Sequence, residues 1–148
     1  MTAADSTSRA AQETAERCAA VMFADDPASQ SLGMRVVEVG PGRASVSMTV
    51  RPEMANGHRI AHGGFVFALA DSAFAFACNT YDRRTVAASC DIVFLAPVEV
   101  GDALLARAQE RVRRARSGIY DVTVHRGDEV VAEFRGHSRE IAGRILEL

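Results

Sequence analysis

Residues 62–80 read HGGFVFALADSAFAFACNT, and this stretch decides the fold. The two glycines and the apolar run after them predict one helix over 63–80 that is hydrophobic on every face, and such a helix is buried on all sides. Asp71 lies in its middle, where an ionised carboxylate is costly unless another group offsets the cost. We therefore interpret Asp71 as a functional residue. The alternative is a break in the helix, with Asp71 as the N-cap of a second short helix.

The composition indicates a globular chain without a general nucleic-acid function. Its 148 residues carry a net charge of −2, and 48% of them are apolar, which excludes a disordered chain and a general nucleic-acid binder. We expect one domain over 1–148, with residues 1–10 as a flexible N-terminus. No apolar run suggests a signal peptide or a membrane span. The three cysteines have no metal-like spacing, so we expect a cytoplasmic protein with reduced thiols and no membrane partner.

Outside the long helix, the apolar pattern predicts one further helix and several strands. Apolar residues at three- and four-residue steps predict a helix over 8–24, which Asp-Asp-Pro at 25–27 ends. Strand-like runs follow at 34–39, 44–50, 85–95, 103–114, 117–126 and 129–141. The predicted fold class is α+β, with an antiparallel sheet of five to six strands wrapped around one long central helix.

The start of the long helix has the features of an oxyanion hole. The first amides of a helix have no partner inside it, and the helix dipole is positive there. Because Gly63 and Gly64 carry no side chains, a ligand oxygen can approach their amides closely. The alternative is that both glycines only permit tight packing against the sheet. His62 either donates to a substrate carbonyl or orients the loop before the helix.

The spacing of Gly63 and Asp71 predicts an oligomer. Eight residues of helix separate them by about 12 Å, too far for both to hold one reacting carbon at roughly 3–3.5 Å. If both act, they come from different subunits across a two-fold axis, with two antiparallel copies of the helix side by side. The apolar residues around Asp71 make its carboxylate more basic, which suits a general base or a nucleophile.

The chain resembles a known family at several spaced motifs. These are NGH at 56–58, AHGG at 61–64, LAD at 69–71, AFAFACN at 73–79, VAAS at 86–89, FLAP at 94–97, GD at 101–102, GIYD at 118–121 and FRG at 134–136. They are similar to the signature of hotdog-fold acyl-CoA thioesterases of the phenylacetate-degradation (PaaI) type, over residues 15–141. The resemblance implies hydrolysis of aromatic acyl-CoA, such as phenylacetyl-CoA or its ring-hydroxylated forms, in phenylacetate catabolism. It also implies homodimers with shared sites that pair into homotetramers, and no metal or organic cofactor.

The resemblance implies a role for each matching residue. Asp71 would be the nucleophile or the general base, and the Gly63 amide would polarise the thioester carbonyl. His62 would position that carbonyl or Gly63. Asn56 would help to order the site, and Ser89 would hold the attacking water. A dehydratase or hydratase acting on acyl thioesters and a non-catalytic acyl-CoA-binding protein are the alternatives.

Two further groups of residues are candidates for substrate binding beside Gly64. Arg113 and Arg114 belong to a cluster of arginines near a hairpin, and guanidinium groups suit the phosphates of CoA. The alternative for this cluster is a solvated sheet edge. Phe65 and Phe67 could line an acyl pocket for a phenyl ring, although most helix phenylalanines are core residues.

Overall fold

The computed structural model describes residues 3–148. Its helices are α1 Ala3–Ala24, α2 Pro27–Ser31 and α3 Gly63–Cys78. Its strands are β1 Arg35–Gly40, β2 Arg43–Thr49, β3 Thr85–Phe94, β4 Ala103–Arg114, β5 Ser117–Arg126 and β6 Glu129–Glu140. Two short 3-10 helices lie at Pro52–Met54 and Ile145–Glu147. None of the helices in the described part of the chain is long and apolar enough to cross a membrane.

The strands form one antiparallel sheet in the order β1-β2-β4-β5-β6-β3. Neighbours in sequence pair as hairpins at β1–β2, β4–β5 and β5–β6, and β3 joins the far edge beside β6. Helix α3 lies across one face of the sheet and contacts every strand. The predicted α+β architecture, with a sheet around one long helix, is confirmed.

The period-two pattern of the strands places the core between the sheet and α3. Val46 and Met48 of β2 are buried, and so are Val122 and Val124 of β5. Successive side chains of a strand point to opposite faces, so these residues line the face that α3 covers. Full burial of each such side chain contributes about 1.5–3 kcal/mol.

Helix α3 is unbroken, so the alternative of a break at Asp71 is wrong. It ends at Cys78, two residues before the predicted end. The Asn79 side chain donates to the carbonyls of Ala75 and Thr85, and its Oδ1 accepts from the Thr85 amide. These hydrogen bonds end the helix and tie it to the start of β3.

The N-terminal region is more helical than predicted. α1 begins at Ala3, so residues 3–10, which we expected to form a flexible terminus, lie in its first turns. The remainder of that prediction, for Met1 and Thr2, lies outside the described residues. The short helix α2 is absent from the prediction. It begins at the N-cap Asp26, whose side chain accepts a hydrogen bond from the Ser29 amide. The prediction of a single domain over the whole chain stays a prediction.

The edge strand β3 exposes a row of apolar side chains. Val86 is 45% exposed, and Val93 and Phe94 are each 53% exposed. Leu95, which follows the strand, is 57% exposed. An edge strand also presents backbone N–H and C=O groups without partners. The outer side of β3 therefore has both features of a surface that pairs with another chain.

Candidate active site

The N-terminal end of α3 leaves one backbone donor free. His62 is the N-cap, and its ring Nδ1 accepts a hydrogen bond from the Gly64 amide at 2.9 Å. The amide of Gly63, the first helical residue, has no acceptor among residues 3–148. The positive end of the helix dipole strengthens its attraction for a negative oxygen. Gly63 therefore offers the donor that the sequence predicts, whereas the Gly64 amide is already bound by His62.

Phe94 lies directly over Gly63. A Cβ atom at position 63 would stand 2.9 Å from the Phe94 Cζ atom, which is closer than real Cβ atoms approach. The alternative explanation for the glycine, tight packing against the sheet, therefore also holds at Gly63, in addition to the free amide. Sequence reasoning did not select Phe94, because this contact joins two distant parts of the chain. The feature of the sequence that could have pointed to Phe94 is its position as the first residue of the FLAP motif.

Asn56 shapes the loop that precedes α3. Its side-chain Oδ1 accepts hydrogen bonds from the amides of His58 at 2.9 Å and Ile60 at 3.4 Å. This loop and the end of β3 enclose an open pocket of about 480 Å³ that Gly63 and Asn56 help to line. The rest of the wall is apolar and consists of Ile60, Ala61, Val66, Phe94, Leu95, Ala96, Pro97, Val98 and Val131. A substrate bound here would meet one free amide on an apolar surface.

Asp71 is half-buried, two turns further along α3. Burial raises the pKa of its carboxyl above the ordinary value, and a hydrogen bond from the Cys90 thiol partly offsets that rise. The Cys90 Sγ atom lies 3.9 Å from Asp71 Oδ1. A carboxylate with a raised pKa accepts a proton more readily than an exposed aspartate does. Asp71 therefore has the electrostatic character of a general base.

Ser89 does not face Asp71 within one protomer. It pairs with His137, whose side chain is exposed, whereas Cys90 pairs with the buried Gly136. Because side chains alternate along a strand, Cys90 points toward α3 and Ser89 points away from it. Cys90 is a second residue that sequence reasoning did not select, and no local pattern marks it.

One protomer does not bring Gly63 and Asp71 together. Both lie on the same continuous helix, about 12 Å apart along its axis. His62 and Asn56 lie at the Gly63 end. Within the described residues, no three His, Cys, Asp or Glu side chains are grouped as a metal site requires. A site that uses both the amide and the carboxylate therefore needs a second copy of the chain.

Phe65 and Phe67 pack within the protomer. The Phe67 ring meets Phe134 edge-on, with centroids 5.5 Å apart, and Phe65 meets the His62 ring at 6.2 Å. Both phenylalanines are partly buried against the core. These contacts account for the two side chains without a ligand, and the pocket beside Gly63 contains neither.

The two arginines predicted to bind phosphate lie at the other end of α3. The Arg113 guanidinium stacks on the Tyr81 ring at 3.7 Å, and its Nε lies 3.8 Å from a carboxylate oxygen of Glu110. Arg114 is exposed at the end of β4. The 16 residues of α3 span about 24 Å. Neither arginine therefore reaches Gly63 of its own protomer.

Comparison with known proteins identifies the family. Residues 58–133, just over half of the chain, match the thioesterase superfamily. The acyl-coenzyme A thioesterase PaaI of Escherichia coli (strain K12) is 43% identical over 125 residues, which are 84% of this chain and 89% of that protein. The chain belongs to the thioesterase superfamily.

Solved structures agree with this assignment. The E. coli PaaI protein from the phenylacetic acid degradation operon matches with a TM-score of 0.88 and 40% identity, over 90% of this chain and 97% of that one. A variant of the phenylacetic acid degradation protein PaaI from Thermus thermophilus matches with a TM-score of 0.76 and 40% identity, over 78% of this chain and 100% of that one. This thioesterase has the hotdog fold and is a thioester hydrolase, which favours hydrolysis over the two alternatives from the sequence.

Proposed function

We propose that this thioesterase hydrolyses aromatic acyl-CoA, such as phenylacetyl-CoA or its ring-hydroxylated forms, to the free acid and CoA in phenylacetate catabolism. The observation that carries the proposal is the free Gly63 amide on the same helix as the half-buried Asp71. The names of the E. coli relatives support the substrate class. The apolar pocket beside Gly63, with Phe94 in its wall, suits a phenyl ring.

Hydrolysis needs an oxyanion donor and a group that delivers an oxygen to the carbonyl carbon. The Gly63 amide would bind the carbonyl oxygen, which becomes negative in the tetrahedral intermediate. Asp71 would take a proton from the water that adds to the carbon. Alternatively its own oxygen would add and give an anhydride that water then hydrolyses. In both routes the C–S bond breaks and CoA leaves as the thiolate, and the proposal includes no metal or organic cofactor.

The proposed complete site lies between two subunits. Antiparallel pairing of two β3 edges would satisfy their free backbone groups and cover the apolar side chains of Val86, Val93 and Phe94. It would also set two copies of α3 side by side in opposite directions. Gly63 of one protomer would then lie near Asp71 of the partner subunit. Two such dimers would pair into the tetramer that the resemblance implies.

His62 would act beside the Gly63 amide, and Ser89 would act on the water that attacks the carbonyl carbon. Because Nδ1 of His62 accepts from Gly64, the Nε2–H of a neutral ring is left to donate to the carbonyl or to the loop. Ser89 would hold the attacking water. That role requires the paired form, since the Ser89 side chain points away from Asp71 of its own protomer.

We also propose that the reaction takes place in the cytoplasm. The cysteines Cys18, Cys78 and Cys90 are free thiols. A reducing compartment keeps thiols in that form. Localisation of the tagged full-length chain by cell fractionation tests this proposal, and recovery outside the cytoplasm would contradict it.

A thiol-release assay tests the proposed reaction. The purified protein is given phenylacetyl-CoA, ring-hydroxylated phenylacetyl-CoA, benzoyl-CoA and straight-chain acyl-CoAs at equal concentrations. We expect kcat/KM for the phenylacetyl forms to exceed that for the straight chains by roughly tenfold, the discrimination that an apolar pocket supplies. Equal rates on straight chains would contradict the aromatic preference. No release of CoA from any of these substrates would contradict the proposal as a whole.

A further inference from the structure

An irregularity in β3 decides which of its side chains faces Asp71. The pairing with β6 shifts just before Ser89, where Ala88 is the extra residue of a β-bulge. With regular pairing, Ser89 would oppose Gly136 and face α3. The bulge places Cys90 opposite Gly136 instead. Bulges are over-represented next to active sites, where they change the direction of a side chain.

The neighbouring strand supplies no competing donor. Gly136, the residue opposite Cys90, has no side chain, and a Cβ atom there would lie 2.8 Å from the ring of Phe74. The Phe74 ring therefore fills the space in which a polar side chain of β6 would stand. Among residues 3–148, the face of the sheet toward α3 therefore offers Asp71 one hydrogen-bond donor, the thiol of Cys90.

Cys90 is the one side chain among residues 3–148 that donates a hydrogen bond to Asp71. Its Sγ atom lies 3.9 Å from Oδ1, which is within reach for a thiol donor. We propose that Cys90 is a positioning residue, whose thiol donates to the Asp71 carboxylate and holds it in the orientation used in hydrolysis. This inference rests on the proposed role of Asp71 as base or nucleophile.

The thiol is suited to donating a hydrogen bond and poorly suited to reacting. Burial and the negative charge of Asp71 raise the pKa of Cys90 to about 11. Cys90 therefore stays protonated at neutral pH, keeps its S–H donor and is a weak nucleophile. In return its hydrogen bond lowers the pKa of Asp71, which burial raises. Cys90 thus keeps Asp71 ionised to a lower pH than burial alone would allow.

Within residues 3–148, the negative charge of Asp71 raises the pKa of two thiols, Cys78 on α3 and Cys90 on β3, and Cys78 makes no hydrogen bond to Asp71. Asp26, beside α2, is itself bound to the hydroxyl of Ser29 at 2.6 Å. Tyr120 of β5 also faces α3, where its ring packs on Phe74. Asp91 of β3 and Arg135 and His137 of β6 lie on the opposite face of the sheet. In the proposed dimer, His62 of the partner subunit would join the groups that face Asp71. A change at Cys90 is therefore separable from changes at these groups.

The direct test is the pKa of the Asp71 carboxyl. It is read by ¹³C NMR on the full-length protein with labelled aspartate, and the signal is assigned with Asp71→Asn. Cys90→Ala and Cys90→Val both remove the thiol donor and differ in the size of the side chain that replaces it. Cys90→Ser retains a hydrogen-bond donor at this position. Cys18→Ala removes a buried thiol of α1 and is the matched control. The pH dependence of kcat/KM for phenylacetyl-CoA is recorded for the same proteins.

We expect the pKa of Asp71 to rise by about half a unit in Cys90→Ala and Cys90→Val, the effect of losing one weak hydrogen bond to a charge. Cys90→Ser and Cys18→Ala should stay within about 0.2 unit of the wild type. The acid limb of kcat/KM should move with the pKa of Asp71.

Different results would contradict the positioning role of Cys90 and the proposed thioesterase function. An unchanged pKa of Asp71 in folded Cys90→Ala and Cys90→Val would overturn the hydrogen bond, and so would an equal rise in Cys90→Ser. A shifted pKa with an acid limb of kcat/KM that does not follow it would contradict the role of Asp71 as the base, on which the positioning role of Cys90 rests. A wild-type protein that hydrolyses no thioester, yet shows the shifts by NMR, would contradict the proposed function and leave the contact confirmed.

Discussion

The two ends of α3 are built in opposite ways. Near its C-terminal end, one carboxylate oxygen of Glu110 accepts hydrogen bonds from the hydroxyls of Tyr81 at 2.9 Å and Tyr120 at 2.8 Å, and Arg113 stacks over Tyr81. At the N-terminal end, the Gly63 amide has no acceptor in the described part of the chain and borders an open pocket. An unpartnered polar group is costly. The C-terminal end of α3, here called the closed end, has its polar groups paired, whereas the N-terminal end, the open end, has a free donor, which we propose binds the substrate carbonyl.

The same comparison separates chemically inert groups from reactive ones. Burial and the neighbouring Glu110 carboxylate raise the pKa of Tyr81 to about 12, and the same two causes raise the pKa of Tyr120 further. Both phenols therefore remain protonated donors at neutral pH. Asp71, between the two ends, is the group on α3 whose raised pKa makes it a better base. The comparison thus separates the inert phenols near the C-terminal end of α3 from the basic carboxylate at its middle.

The largest expected effect is the loss of the carboxylate. Asp71→Asn keeps the shape of the side chain and removes the base or nucleophile. We expect kcat for phenylacetyl-CoA to fall by about 100-fold or more, measured by thiol release on protein with an unchanged circular dichroism spectrum. Turnover near the wild-type value would contradict the proposed mechanism.

The same variant should gain stability at neutral pH. Burial raises the folded-state pKa of Asp71 above its unfolded value, so the native state binds a proton more readily than the unfolded chain does. The stabilising effect of protonation is full below the unfolded pKa and is lost as pH rises through the folded pKa. Asp71→Asn should therefore raise Tm at pH 7, and the difference should shrink in acid. A lower Tm at pH 7 would contradict the unfavourable burial of this charge.

Removing the free amide tests the open end. Proline is tolerated at the first position of a helix, where it removes only the N–H. We expect Gly63→Pro to lower kcat by roughly 10²- to 10³-fold, the effect of losing one oxyanion-hole donor. Gly63→Ala is the matched control, because it adds the same Cβ beside Phe94 and keeps the amide. Equal losses in both variants would assign the effect to the Phe94 contact rather than to the amide.

Removing the shared acceptor tests the closed end. Glu110→Ala leaves the buried hydroxyl of Tyr120 without its partner. We expect the free energy of unfolding to fall by about 2–4 kcal/mol, measured by urea denaturation, while kcat per folded molecule stays unchanged. Glu110→Gln, which retains a carbonyl acceptor, should lose less stability. A drop in kcat without a drop in stability would place this end in the active site.

The smallest expected effect concerns CoA binding. We propose that Arg113 and Arg114 attract the CoA phosphates, which would make KM for acyl-CoA rise with salt. Replacing both by alanine should raise KM a few-fold, flatten the salt dependence and leave kcat unchanged. Thioesters without the nucleotide are the control and should show no change. Because Arg113 also stacks on Tyr81, Arg113→Ala alone should lower Tm, whereas Arg114→Ala should not. An unchanged salt response would move the phosphate site elsewhere.

The sequence predicts the elements that local patterns define. β4 and β5 were predicted with the observed bounds, because their apolar pattern is flanked by clear turn residues. The central helix and its single carboxylate are also recognisable from a local pattern, because two glycines open an unbroken apolar run that contains Asp71. The short helix α2 was missed, since its five residues carry no periodic signal and depend on one cap at Asp26.

The parts of the site that were not predicted depend on contacts between distant residues. The bulge beside Ala88 arises from the pairing of β3 with β6, and it exchanges the faces of Ser89 and Cys90. A slip of one residue in a strand reverses every side chain beyond it. The contact of Phe94 with Gly63 is equally non-local. The sequence therefore indicates candidate groups for the chemistry, whereas the neighbours that orient them are visible only in the folded chain.

The central claim is that the open end of one α3 works with Asp71 of the partner subunit, and subunit mixing tests it most directly. Asp71→Asn and Gly63→Pro proteins, each nearly inactive alone, are mixed in equal amounts, and native mass spectrometry confirms the exchange of subunits. Half of the dimers are then mixed, and each holds one intact site and one doubly defective site. The account predicts recovery of about one quarter of wild-type activity, as two-fold symmetry requires. Complete exchange without recovered activity would contradict a shared site.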